Sequence, residues 1–197
     1  MNKQFSLSTS RLQALVDGIF AIAMTILVFN IRLPVGVRPA DVRTALITLW
    51  PTFWSFAESF LILGSFWATH HRQGHLVREA SQGLVWMTIL WLMFVVLVPF
   101  STSLVALSNS LLGTALFDLN LFVAGLLASL TWRHAVSHGL VHDGQRRLLT
   151  ATTLRTLVFP VVSLIALGFA FISPAWSNLC YFLIPIGITV VRRKTSG

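Results

Sequence analysis

Two carboxylates stand inside stretches that are otherwise almost wholly apolar. Asp17 lies near the start of the run from Arg11 to Pro34, and Glu58 lies midway along the run from Ala45 to His70. A charge inside a membrane-spanning helix is costly unless it is paired, protonated or facing water. Each carboxylate therefore marks either a buried polar network or a path for ions or protons. Histidines form the second group. His70, His71 and His75 cluster after the second run, and His134, His138 and His142 recur every four residues. Four-residue spacing places side chains on one helix face, as a metal site would use them. Yet no HExxH or cysteine-containing zinc pattern occurs, and Gly139 and Gly144 weaken the helix that the second trio would need. No metal, cofactor or enzymatic activity is expected. Nothing has the form of a nucleotide loop, a nucleophile elbow or a nucleic-acid module.

The elements that must hold these groups are apolar helices. Of 197 residues, 55% are hydrophobic and only 10% are charged, with a mean hydropathy of +0.79. A soluble domain of this size cannot bury that much apolar surface, so the composition gives an all-α integral membrane protein. Six apolar segments are expected, at roughly 12–33, 45–70, 84–105, 111–132, 154–172 and 175–191, forming a single domain over 1–197. Pro34, Gly36 and Pro39 end the first segment. Pro51 predicts a kink in the second or a helix that starts there. The amino terminus lacks a clear cleavage site and reads as a retained first helix. The single cysteine, Cys180, excludes an intrachain disulfide.

The net charge of +8 reports topology rather than nucleic-acid binding. With six spans, one side carries eleven Lys and Arg residues and the other carries Arg32, Arg38 and Arg43. Eleven against three places both termini in the cytoplasm of a multi-pass plasma-membrane protein.

Within the first segment, Leu15, Ile19, Ile22, Ile26 and Phe29 fall on one helical stripe, with Gly18 and Thr25 beside it. Such a stripe fits the lining of a narrow pore; it equally fits packing between helices. Arg11 and Asp17, six residues apart, point to different faces, so each is expected to find its partner on another helix. His70 and His71 are the natural candidates for Asp17. Glu58 is open to two readings, a hydrogen-bonded residue inside the bundle or a proton relay of a transporter.

Arg11, followed by Leu15-Val16-Asp17 and an Ala-Ile-Ala-Met-Thr helix ending near Pro34, resembles the first helix of the transmembrane protein 175 family of endosomal and lysosomal potassium channels. Leu15 and Val16 replace the family's Phe and Ser. Ser59, Trp67, His70 and His71 resemble its second helix, and Pro99-Phe100-Ser101-Thr102 the end of its third.

The resemblance implies a potassium-selective channel that conducts K+ passively through a homotetramer, with an oligomeric pore around helix 1. It makes Ile22, Thr25, Ile26 and Phe29 the pore and selectivity residues, and Arg11, Asp17, Ser59, Trp67, His70 and His71 a structural and gating network. Potassium ions and the lipid bilayer are the partners implied, with no nucleic acid. The competing expectation is a proton-coupled small-solute or ion transporter that uses Glu58 or Asp17 as its relay.

Overall fold

The computed structural model describes residues 8–108, 110–142 and 146–196. Helix α1 (Thr9–Ile26) tightens into a 3₁₀ turn over Leu27–Asn30. The short α2 (Val42–Thr48) meets α3 (Trp50–Gly74) at a bend of 50°. Pro51 sits in the first turn of α3, where a missing N–H costs nothing, so the proline starts a helix rather than kinking one. The third apolar segment divides into α4 (Gln82–Val96) and α5 (Val98–Ser108). Next come α6 (Leu111–Ser137) and α7 (Arg146–Ala170). The last apolar stretch is broken into α8 (Pro174–Leu179), a 3₁₀ turn over Cys180–Phe182, and α9 (Leu183–Ser196).

The expected limits shift where local chemistry overrides hydropathy. Helical structure in the first segment stops at Asn30 rather than Leu33. In contrast, α6 continues past Trp132 to Ser137 and ends only at Gly139, whose φ of 64° suits a residue without Cβ. Among the described residues, four helices are long and apolar enough to cross a bilayer, and the bent α2–α3 pair makes a fifth.

Aromatic rings tie the bundle together. Phe20 of α1 and Phe66 of α3 meet Trp91 of α4, with ring centroids 5.5 and 6.4 Å away, and Phe66 stacks on Phe159 of α7 at 4.1 Å. Close approach of α6 and α7 is made by Gly125: a Cβ there would lie 2.8 Å from the Pro160 nitrogen. Pro160 cannot donate to the Thr156 carbonyl one turn back. The Ser129 hydroxyl of α6 lies 3.2 Å from that carbonyl and shares with it the proton that it gives to Gly125 O at 2.8 Å.

Four polar links between helices share one form. Ser59 of α3 meets Thr102 of α5, Asn120 of α6 donates to Ser101 of α5, Gln73 of α3 donates to Thr156 of α7, and Trp132 of α6 donates to Thr153 of α7. In each, the accepting hydroxyl gives its own proton to a carbonyl in its own helix. At the end of the bundle where α1 begins, the chain after α3 pairs with the chain after α6. Arg78 N–H donates to Leu140 O at 2.7 Å, and His142 N–H donates to Leu76 O at 2.9 Å.

Candidate functional site

Helix α1 divides into two faces. Leu12, Val16, Phe20, Ala23 and Leu27 are buried in the subunit. Ile22, Thr25, Ile26 and Phe29 point away from it, Ile22 being 57% and Phe29 63% exposed. Of the four long spans α1 is also the least covered, 28% buried against 39–44% for the others. Val16, which stands where the resemblance calls for a serine, is 1% exposed in the core, so a methyl-bearing side chain fits where a hydroxyl would need a partner. Leu15 and Gly18 lie on the outward side, and Gly18 has open space where a Cβ would stand.

The Thr25 hydroxyl donates to Ile22 O at 2.8 Å. Its proton is thereby committed, and its oxygen is left as an acceptor on the outward face. An acceptor between branched apolar residues suits a partly dehydrated cation. Phe29 lies in the 3₁₀ turn, where a residue advances by a third of a turn, so its direction departs slightly from α-helical extrapolation.

The six residues expected to form one network are distributed over four places. Asp17 accepts a hydrogen bond from Trp67 Nε1 at 2.8 Å, so its partner is an indole rather than either histidine. Trp67 in turn stacks on His71, with centroids 5.3 Å apart, and His71 meets His75 edge to face. His70 turns the other way and stacks on Trp91 at 4.9 Å. Ser59 lies about two turns earlier on α3, bonded to Thr102 and fully buried. Arg11 is exposed and makes no ion pair among the described residues.

Removing only the indole N–H isolates the Asp17 link. Trp67→Phe keeps a ring against His71 and is expected to cost about 1–2 kcal/mol of stability, read by denaturant unfolding of the purified protein. Asp17→Ala added to it should then cost little more, since the shared bond is already gone.

Glu58 is 6% exposed, and its Oε1 has no hydrogen-bond partner. It borders a cavity of about 140 Å³ with Leu61, Ser65, Tyr181 and Pro185. Nothing links it to Asp17, which is bonded to Trp67. A third intramembrane carboxylate, Asp118, has no counterpart among the sequence candidates. Fully buried on α6, it accepts hydrogen bonds from Ser177 Oγ at 2.6 Å and Tyr181 OH at 2.7 Å. The signal was available, since a lone Asp inside the run 111–132 is as anomalous as Glu58. No group of three or more His, Cys, Asp or Glu among the described residues could hold a metal.

A family model described as endosomal/lysosomal potassium channel TMEM175 matches residues 11–99. A potassium channel of Chamaesiphon minutus is 31% identical over 185 residues, which cover 89% of this chain and 91% of that protein. The chain belongs to the TMEM175 family. A second TMEM175-like relative, a potassium channel of Streptomyces collinus, is 28% identical over 172 residues, 84% of each chain. The TMEM175 fold is also matched directly. The crystal structure of a lysosomal potassium-selective channel TMEM175 homolog from Chamaesiphon minutus superposes with a TM-score of 0.79 at 28% identity, covering 93% of this chain and 97% of that one. The chain is thus a multi-pass, all-helical membrane protein.

Proposed function

We infer that this chain is the subunit of a potassium channel in which α1 of each copy lines a common axis. The observation that carries the reading is the outward face of α1. Ile22, Thr25, Ile26 and Phe29 are turned away from the subunit's own core, in a chain whose TMEM175 relatives are named as potassium channels. Apolar rings from Ile22 and Ile26 form the constriction, which gates by dewetting, and the Thr25 oxygens offer acceptors to a partly dehydrated ion. Four copies complete the pore. Each subunit crosses the plasma membrane six times, the broken α8–α9 stretch being the sixth span, and both termini are cytoplasmic. Pairing of the chain after α3 with the chain after α6 supports an even number of crossings between them, because it brings both connections to one end.

The test is potassium against sodium flux into liposomes that hold the purified protein, under an imposed salt gradient with no pH difference. Passive flux of potassium above sodium is the expected result. The orphaned oxygen of Glu58 favours one second reading, transport coupled to protons. Glu58→Gln separates the two: a channel keeps its potassium flux, whereas a proton-coupled carrier loses it while the oligomer stays intact.

A further inference from the structure

We propose that His71 and His75 form a binding site for a divalent transition-metal ion of the zinc type. Both residues are exposed at the carboxyl end of α3, four positions apart on one face. Their Nε2 atoms converge to 3.3 Å, with the rings nearly perpendicular at 88°. Without an ion, one ring's N–H donates to the other across this gap, a long hydrogen bond. The separation matches the edge of a tetrahedron, since two metal–nitrogen bonds of about 2.05 Å at the tetrahedral angle hold their nitrogens about 3.3 Å apart. The imidazole pair therefore already has the spacing that a zinc ion would impose.

Imidazole nitrogens choose zinc, copper or nickel over magnesium or calcium, which take oxygen ligands. Two protein ligands leave two positions for water, so the ion exchanges readily.

The other histidines do not offer this geometry. His134 and His138 overlap with centroids 4.0 Å apart, and His138 Nδ1 is engaged with the His134 carbonyl at 3.0 Å. His70 is turned toward Trp91. What the ion would fix is the His71 ring. That ring stacks on Trp67, whose N–H is held by Asp17 of α1. Metal at this site therefore stiffens the side chain that holds Asp17, midway along the outward-facing helix. The site stands independently of the conduction reading, and its test needs no flux.

The experiment is a calorimetric titration of zinc into the full-length protein in detergent, with no histidine tag. One ion per chain is expected. His75→Gln and His71→Gln should each weaken binding at least tenfold, and His134→Gln should leave it unchanged. Circular dichroism of each variant separates loss of the site from loss of the fold, and His75→Gln lies at an exposed helix end where the fold has little to lose. Zinc binding of equal strength in His75→Gln, its loss in His134→Gln, or no saturable binding in the unaltered protein overturns the proposal.

Discussion

Ile22→Asn is expected to change potassium conductance by about tenfold or more, with the subunit fold unaltered. The first half of that statement follows from the proposed pore. A ring of isoleucines excludes water from a narrow passage, and an amide at each position lets water remain. A tenfold change needs only about 1.4 kcal/mol in the barrier to an ion. The second half follows from geometry. Ile22 is more than half exposed and its neighbours Val16, Phe20 and Ala23 form the buried face, so no core contact is replaced. The check is single-channel or liposome flux beside size-exclusion chromatography. Unaltered flux in an intact oligomer would remove Ile22 from the ion's path and with it the proposed face of α1.

The largest effect on folding is expected at Gly125→Leu. A Cβ at this position would sit 2.8 Å from the Pro160 nitrogen, 2.9 Å from its Cδ and 3.1 Å from the Phe159 carbonyl carbon. Two of those atoms are backbone and the third belongs to a rigid ring, so none can swing aside. Forcing a leucine into that seam pushes α6 from α7 and strains the Ser129 bond to the Thr156 carbonyl. A loss of about 3 kcal/mol or more is expected, at or above the upper end for overpacking. It should appear as aggregated or unfolded protein in detergent. Gly18→Ala is the control, since nothing lies within 4 Å of its missing Cβ. An equally stable Gly125→Leu protein would mean that the two helices do not approach as closely as described.

Much of this architecture is legible in the chain itself, because a bilayer leaves few options. Every backbone group must be satisfied within its own helix, so long apolar runs report helices almost directly. The outward stripe of α1 was legible for the same reason, except at Ile19, which is half-buried and packs against the core. Its periodicity separates Ile22 and Ile26 from Phe20 and Ala23, although only the fold says which of the two faces is covered. Other features depend on residues far apart. Asp118 finds its hydroxyls 59 and 63 positions later, and no local pattern announces such a pairing. Asp17 drew the expectation of a histidine because opposite charges attract, yet an indole N–H reached it at 2.8 Å. Ser59, grouped with the polar end of α3 by its place in a motif, lies about two turns before it and belongs to the α3–α5 contact.

Two mechanical kinds stand out among the polar links between helices. Where Ser59, Asn120, Gln73 and Trp132 reach across to a hydroxyl, that hydroxyl keeps its own carbonyl when the neighbour leaves. Such links act as slip joints. Each is worth about 0.6 kcal/mol on average between membrane helices, and parting one strands only the visiting group. Asp118 is a rivet by comparison, because withdrawing Ser177 and Tyr181 would leave a carboxyl with neither donor in an apolar interior. Hydrogen bonds alone therefore resist motion between α3 and its neighbours α5 and α7 only weakly, whereas they tie α6 firmly to the α8 region. A turn of α1 about its axis would part the Asp17–Trp67 bond and spare the rivet.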